Sequence, residues 1–386
     1  MKQLLQHARL FDGTQFHAGK AVTLDGGLIG DIMERSVSPG GYEVHDLTGL
    51  VLAPGFIDVH VFGGGGHMVG ADMGLAELEA IAETHRQFGT TSLLPTLLSD
   101  EWEVMAHVSS CIRRAHKYWG ENSALAAIKG IHFDGPCLSP SIGAPHHTTH
   151  LRRLDAALID LMSHPDLGIR LVTLAPERAG LDSLKALTEA GVLVCAGSSA
   201  ATHQEALQAI RAGLRGVTKL FAHMPPIGAT APGLVGAALD DQELWCGLLA
   251  DGFHVHPAAM RMAIKAKAKG KVFLTSGAMA SVGWDGEKFD FQGRGIRVRN
   301  GVCIFADGTM AGAHLTMIGA VRNAVELLDQ PLSEALRMAS LYPAQFIRMD
   351  MTHGIIAPGF AADLVAFDPE NWVVKHSWIN GYHRAH

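Results

Sequence analysis

The sequence predicts an α/β protein whose main part is a (β/α)8 TIM barrel, with a small β-domain formed from both termini. Eight short, nearly continuous apolar runs recur along the chain, each followed by a polar, Gly-rich or His-rich loop and then by a helical pattern. This order is typical of a parallel sheet covered by helices, and eight strands are the number that closes a barrel. Both ends of the chain instead alternate apolar and polar residues around turn signals, as short strands do.

The barrel strands are predicted from the apolar runs, and the outer helices from the amphipathic stretches between them. The eight runs span residues 55–61, 91–94, 128–133, 170–174, 192–196, 217–221, 246–249 and 271–274. The helical patterns span residues 75–88, 184–190, 204–212, 257–268, 312–328 and 332–340. We expect a small β-sandwich domain of residues 1–52 plus 355–386 and a barrel domain of residues 53–354.

Composition argues against several classes of function. The chain has 386 residues, of which 48% are hydrophobic and 18% charged, enough apolar material for a large core. Lys and Arg total 31 against 38 Asp and Glu, and no basic run is interleaved with aromatic residues, so nucleic acid is not an expected partner. Five widely spaced cysteines argue against a disulfide framework and favour a cytoplasmic location. The first residues lack a signal-peptide core and no apolar stretch reaches membrane-spanning length, so no membrane association is expected.

The chemistry is expected at the carboxyl ends of the barrel strands, where barrels of this kind carry their active sites. His60 and Phe62 end the first run, and the period of two places both on the lumenal side. His60 is a weak metal candidate, because a lone lumenal His is at least as often a hydrogen-bonded core residue. Asp134 ends the third run, and this position favours a catalytic role over a metal-ligand role.

Basic and imidazole side chains follow the sixth and seventh runs. Lys219 lies in the sixth run and is either a salt-bridged structural cation or a catalytic amine, of which we favour the first. His223 follows the same run and His254 follows the seventh, and each is equally consistent with a functional and a structural role. The sequence therefore predicts a cluster in which Asp134, Lys219 and His60 are the catalytic candidates, with His223 and His254 beside them.

Two further motifs are interpreted as structural. His146, His147 and His150 lie in the loop after the third run, but their spacing is not that of a known metal site, so a solvated loop is expected. The run Gly63–Gly66 lacks the GxGxxG spacing, so it predicts flexible backbone near a ligand rather than a dinucleotide site.

Seven motifs, in order, carry a resemblance to a known family. They are APGFIDVH at 53–60, HFDGP at 132–136, VTLAPE at 172–177, PGLVGA at 232–237, DGFHVHP at 251–257, DGTMAG at 307–312 and RMASLYPA at 337–344. With these motifs the chain resembles the N-acetylglucosamine-6-phosphate deacetylase family of the amidohydrolase superfamily, almost end to end. The resemblance implies a (β/α)8 barrel with a terminal β-sandwich, usually a homodimer, and metal-assisted hydrolysis of the N-acetyl amide of a phosphorylated amino sugar.

The positions that the resemblance assigns to the metal differ in this sequence. The family places a Glu after strand three and a His after each of strands five and six, and these positions are Asp134, Ser198 and Lys219 here. The eighth-strand aspartate that moves a proton in the family falls on Gly277. Ser is a poor zinc ligand and an ammonium group repels a divalent cation, so we expect Lys219 to occupy the metal's place and pair with Asp134.

The substrate-binding positions implied by the resemblance also differ in part. An Asn-Ala pair in the family reads Ala222-His223 here, and a phosphate-binding arginine falls on Thr230. The family histidine that contacts the sugar is retained as His254, and Met310 lies in the motif at 307–312. We expect Ala222, His223, His254 and Met310 to bind a small, sugar-like ligand.

Three functions are consistent with these residues. The first is a deacetylase-like hydrolase acting on the amide of an N-acylated amino sugar or related compound, with metal binding weakened or moved to Asp134 and His60. The second is a metal-free enzyme of changed reaction type that uses Lys219, Asp134, His223 and His254, and the third is a non-catalytic ligand-binding protein. We adopt the first as the broad class, expect no cofactor at the usual family site, and keep a divalent metal such as zinc as the alternative.

Overall fold

The computed structural model describes residues 2–36, 40–118, 124–142 and 146–386. Strands and helices are numbered in chain order. The strands are β1 Lys2–Gln6, β2 Arg9–Phe11, β3 Phe16–His17, β4 Lys20–Asp25, β5 Leu28–Glu34, β6 Glu43–Asp46, β7 Val51–Pro54, β8 Phe56–Val61, β9 Gly63–Gly64, β10 His67–Met68, β11 Thr90–Leu98, β12 Gly130–Asp134, β13 Ile169–Leu174, β14 Leu193–Ala196, β15 Gly216–Val217, β16 Trp245–Leu249, β17 Val272–Thr275, β18 Lys288–Phe291, β19 Arg294–Arg299, β20 Val302–Phe305, β21 Met310–Ala313, β22 Leu364–Asp368, β23 Val373–Ile379 and β24 Tyr382–Ala385. The α-helices are α1 Leu75–Arg86, α2 Trp102–Tyr118, α3 Ala156–Ser163, α4 Pro176–Ala179, α5 Leu181–Glu189, α6 His203–Arg211, α7 Gly233–Asp240, α8 Pro257–Ala266, α9 Met317–Glu326, α10 Leu332–Ala339 and α11 Leu341–Phe346.

The eight predicted runs form one parallel sheet, which confirms the (β/α)8 barrel. Its strands β8 and β11 to β17 lie side by side in chain order. The ring closes between β17 and β8, where the Gly277 backbone N–H donates to the His60 carbonyl over 2.9 Å. Helices follow the strands and bury one face, as in α5, which packs on β14 and buries Leu184 and Leu187. The carboxyl ends of all eight strands therefore meet at one mouth.

The sixth barrel strand is shorter than predicted. The run 217–221 predicts five strand residues, but β15 is only Gly216–Val217. Lys219, Phe221 and His223 have left-handed backbones, with φ of 49°, 74° and 56°, and a strand cannot continue through that conformation. The chain therefore coils over the mouth at this point and brings Lys219 and His223 into it.

Strands from both termini form sheets beside the barrel, as predicted. One sheet has the order β5-β4-β1-β6, and the other has the order β24-β23-β22-β7-β2-β3. Trp378 is fully buried between them, and its indole N–H donates to the Gln3 side-chain oxygen over 2.9 Å. The two ends of the chain are therefore held together by pairing and by a shared apolar core.

A third antiparallel sheet lies in the segment after the eighth barrel strand, and the sequence analysis did not predict it. Strands β18 to β21 pair in chain order, so residue 312 lies in a strand and α9 begins only at Met317. This corrects the helix predicted over 312–328, because the Gly and Thr residues at the start of that stretch favour extended and turn structure. The sheet packs on Phe62 and Met279 and covers part of the mouth. None of the described helices has the length and apolarity that a membrane crossing requires.

Candidate active site

A buried ion pair lies at the carboxyl end of the barrel. Asp134 is the last residue of β12 and Lys219 follows β15, so the two side chains start from strand ends that β13 and β14 separate and meet across the mouth of the barrel. The Lys219 Nζ donates to the Asp134 Oδ2 over 2.8 Å, and the two side chains are 5% and 0% exposed. The pairing expected from the sequence is therefore confirmed.

Two imidazoles contact the same carboxylate. The Nε2 atoms of His60 and His146 lie 3.5 and 3.6 Å from the Asp134 Oδ2. The Nδ1 of His146 accepts the Ser99 backbone N–H over 3.2 Å, so its proton is on Nε2 and directed towards Asp134. His60 is thus confirmed as a lumenal side chain beside Asp134, in contact with His132 and Phe62.

The position of His146 corrects the prediction of a solvated loop. His146 is only 4% exposed: inside the barrel mouth its Nδ1 accepts the Ser99 amide, and its Nε2 lies 3.6 Å from the Asp134 Oδ2. His147 and His150 are half-buried nearby, which is closer to the predicted solvated loop. Ala144 and Pro145 of the same motif lie outside the described residues.

The electrostatics of the cluster favour one negative and one positive charge. Burial raises the pKa of Asp134, but the Lys219 ammonium, together with the nearby rings of His146 and His60, outweighs it and holds that pKa well below its usual range. Burial, together with the charge of Lys219, lowers the pKa of His60 to about 4 and that of His223 to about 3. The imidazoles are therefore neutral near pH 7, beside a carboxylate and an ammonium.

Several buried polar atoms around this pair have no hydrogen-bond partner among the described residues. They are the Asp134 Oδ1, the His60 Nδ1, the His146 Nε2 and the Ser198 Oγ. Buried polar groups are hydrogen-bonded in nearly all proteins, so such a concentration at one strand end indicates a place where a polar ligand or water binds. Ser198 also has a left-handed backbone, with φ of 44°, which is typical of functional sites.

His132 and Asp251 are site residues that the sequence analysis did not single out. The two ring nitrogens of His132 contact the Val59 carbonyl at 3.0 Å and the Thr173 hydroxyl at 2.7 Å, which fixes the ring under His60. The alternation along β12 would have found it, because His132 is two residues before Asp134 and faces the same side. Asp251 follows β16 in the motif at 251–257, of which the sequence analysis considered only His254 as a site residue.

His254 is oriented by Asp251. The Asp251 Oδ2 and the His254 Nδ1 are 2.6 Å apart, and the same carboxylate accepts the His254 backbone N–H. If the proton of the ring is on Nδ1, as an acidic partner favours, Nε2 is left to accept a proton. The ring of His223 lies 6.5 Å from that of His254, centroid to centroid.

A small cavity lies between Lys219 and His254. Its volume is about 10 Å³, and it is lined by Phe62, Lys219, His223, Leu249, His254, Gly277 and residues 311–313. A volume of this size corresponds to about one water molecule. The polar lining is contributed by Lys219 and the two histidines, so a water there would lie between an ammonium and imidazoles.

The remaining candidates are further from the cavity. Met310 begins β21 and is 37% exposed, immediately before the cavity-lining residues 311–313. Ala222 is 6% exposed and packs in the barrel core, so it does not line the cavity. Thr230 is exposed. Of the predicted substrate-binding residues, the structure brings His223 and His254 together and places Met310 at the edge.

A larger cleft lies beside the inserted sheet, but its charge does not suit an anionic ligand. Its volume is about 650 Å³, and it is lined by residues that include Asp72, Glu77, Asp100, Glu101 and Asp290. Carboxylates in such number repel a phosphate group. The smaller cavity at Lys219 is therefore the better candidate for the chemistry.

The residues present do not fit the divalent metal that the resemblance implies. The Asp134 Oδ2 already holds an ammonium, and the position of one family histidine is a serine. Among the described residues no group of three or more His, Cys, Asp or Glu is arranged to hold a metal ion. A divalent cation beside Lys219 would also be repelled by its charge in a buried site.

The eight-stranded barrel with its terminal sheets defines the amidohydrolase-type fold, and comparisons with known proteins agree. Residues 51–382 match the model of the amidohydrolase family. A Shewanella sp. (strain ANA-3) N-acetylgalactosamine-6-phosphate deacetylase is 38% identical over 87% of this chain and 83% of its own. An N-acetylglucosamine-6-phosphate deacetylase from Haemophilus influenzae is 32% identical over 94% of this chain and 93% of its own.

A solved structure is similar over the whole chain. The N-acetylglucosamine-6-phosphate deacetylase from Pasteurella multocida has a TM-score of 0.95 at 33% identity and covers 100% of both chains. The chain therefore belongs to the amidohydrolase family and, within it, to the family that includes these deacetylases.

Proposed function

We propose that this chain hydrolyses the acetamido bond of an N-acetylated amino-sugar phosphate, at the cavity between Lys219 and His254. The names of the relatives support the substrate class. The observation that carries the proposal is the convergence of an ammonium, a carboxylate-oriented imidazole and a cavity of about 10 Å³ at the barrel mouth. A cavity of that size accepts a water but not a sugar, so the sugar ring would lie outside it.

Each group has a defined part in the proposed reaction. The Nε2 of His254, oriented through Asp251, takes a proton from the attacking water as oxygen bonds to the amide carbon. The Lys219 ammonium, held by Asp134, donates a hydrogen bond to the oxygen that becomes negative. When the C–N bond breaks, His254 returns the proton to the leaving nitrogen, and the products are acetate and the free amino sugar.

Acetate release tests this proposal. Purified protein is incubated with the 6-phosphates of N-acetylglucosamine and N-acetylgalactosamine and with the unphosphorylated sugars, and acetate is measured enzymatically. We expect turnover of at least one 6-phosphate. His254→Gln should lower kcat by about 100-fold or more, because general-base catalysis typically contributes that much. His256→Gln, a histidine two residues away and exposed, is the matched control and should keep its activity.

A second function is favoured by one observation. Gly277 has no side chain at the position where the resemblance implies a proton-carrying carboxylate, so the barrel could bind the sugar without cleaving it. Calorimetric binding of a 6-phosphate without acetate release would support this alternative and contradict hydrolysis. Acetate release that His254→Gln abolishes would exclude it.

The proposal includes a cytoplasmic location and a homodimer. All five cysteines are buried free thiols, which is typical of proteins in reducing compartments. The assembly state is measured directly by light scattering on the purified chain.

A further inference from the structure

The charges of Asp134 and Lys219 balance each other without a metal. The carboxylate of Asp134 is fully buried, and the ammonium of Lys219 neutralises it at 2.8 Å. The imidazoles around the pair supply polar atoms but no further negative charge, because a histidine ring is either neutral or cationic. Adding a divalent cation would leave two positive centres facing a single carboxylate.

The surroundings of the ammonium are built to hold a cation there. The Lys219 Nζ lies 5.2 Å from the centre of the Phe62 ring, a distance at which an ammonium is attracted by an aromatic face. Lys219 has a left-handed backbone with φ of 49°, which is an unfavourable conformation for a residue other than glycine. Such a conformation persists only where the surrounding structure holds the residue in place. Phe62, which follows β8, thus places an aromatic face beside the ammonium.

We infer that Lys219 is a permanent, covalently attached cation of the active site, which takes the place of a divalent metal and keeps such a metal out. For catalysis this inference rests on the proposed function, because it assigns to Lys219 the positive charge that stabilises the developing oxyanion. Its second half, the exclusion of metal, is independent of any activity. The chain should therefore need no metal for turnover and should bind none at this position.

Zinc binding tests the exclusion without an activity assay. The wild-type chain and Lys219→His are equilibrated with micromolar zinc, passed through gel filtration, and analysed for zinc by mass spectrometry. Lys219→His removes the ammonium and adds an imidazole beside Asp134, His60 and His146, so this variant should gain about one zinc per chain relative to wild type. Lys185→His, on the exposed surface, is the matched control for an added histidine and should match wild type.

A wild-type chain that holds near-stoichiometric zinc would overturn the inference if Asp134→Asn removed that zinc. Zinc that stays in Asp134→Asn is bound elsewhere on the histidine-rich surface and leaves the exclusion supported. Equal zinc in Lys219→His and wild type, with both chains folded by circular dichroism, would also contradict it.

Turnover tests the catalytic half. Acetate release by the wild type should be unchanged after exhaustive treatment with a chelator. Lys219→Met should lower kcat by about 100-fold or more with a small change in KM, the effect of losing one oxyanion donor. Loss of activity on chelation and its return with zinc would overturn the inference, whereas absence of acetate release before any treatment contradicts only the proposed function.

The double variant Lys219→Met/Asp134→Asn guards against misfolding. It leaves no unpaired charge in the barrel, because the carboxylate is replaced together with its cation. It should fold where Lys219→Met does not, remain inactive and bind no zinc. A double variant with wild-type turnover would contradict a role for the ammonium.

Discussion

Lys219 and Asp134 depend on each other because both are buried in the barrel mouth. Removing one partner of such a pair leaves a charge in a medium that solvates it poorly. Lys219→Ala should therefore lower the free energy of unfolding by about 3–5 kcal/mol, measured by urea denaturation at neutral pH. The double variant Lys219→Ala/Asp134→Ala should lose less than Lys219→Ala alone, since no charge is left unpaired.

An exposed lysine provides the control for the buried pair of Lys219 and Asp134. Lys185→Ala removes an exposed lysine and should change stability by less than about 0.5 kcal/mol. If Lys219→Ala changed it as little as Lys185→Ala, the contact between Nζ and the carboxylate would contribute nothing to the folded state.

The sequence predicted the place of a single residue correctly where that residue lies at the end of a barrel strand, because the strand then determines where its side chain lies. Asp134 ends a barrel strand and Lys219 follows another, so topology alone brings them to one mouth. His146 could not be found in that way, because it enters the site from a loop whose path depends on tertiary contacts with Ser99 and Asp134. The proximity of Asp251 and His254 was available from the sequence, but the pattern did not say that their side chains face each other.

Elements were predicted best where the apolar period is long and regular. Barrel strands such as β8, β13 and β17 and helices such as α5 and α8 lie close to their predicted bounds. The strand β15 is short because left-handed residues end it, and no apolar pattern reports the sign of φ. The inserted sheet β18 to β21 was missed because its first two strands are short and expose much of their surface.

The end of α11 offers a test of how one residue's backbone conformation affects an element. Arg348 follows the C-cap residue Ile347 and has φ of 63°. The Met349 N–H donates to the Ala344 carbonyl and the Arg348 N–H to the Gln345 carbonyl, which is the Schellman arrangement. Glycine adopts this conformation without strain, so Arg348→Gly should be about 1 kcal/mol more stable than Arg348→Ala.

Thermal or urea unfolding of both Arg348 variants measures that difference. Arg348 is exposed, so the loss of its side chain affects both variants alike and cancels in the comparison. Equal stability of the two variants would show that the left-handed conformation is not kept in solution.

On the scale of the whole molecule, the two termini stabilise each other through the sheets beside the barrel. Gln3 accepts a hydrogen bond from Trp378 and donates one to the Gly381 carbonyl, so the first strand and the last hairpin share buried contacts. Asp363 connects this region to the barrel through Lys129, which lies 3.6 Å away. Burial raises the pKa of Asp363, but Lys129 and His353 outweigh it and lower that pKa to about 2.

A histidine cluster on these sheets should make the stability of the whole chain depend on pH. His45 from β6 contacts His383 from β24, and His383 is hydrogen-bonded to His376 over 3.0 Å. Burial, with the charges of the neighbouring imidazoles, lowers the pKa of His383 from 6.5 to about 4.

The unfolded chain therefore binds more protons than the folded chain between pH 6.5 and 4, and stability should fall as the pH is lowered from 6.5 towards 4. In urea unfolding across that range, His376→Gln/His383→Gln should lose less stability than wild type, while His203→Gln, at the first residue of α6, is the control and should follow wild type. A double variant with the wild-type pH slope would show that the cluster is not what resists protonation.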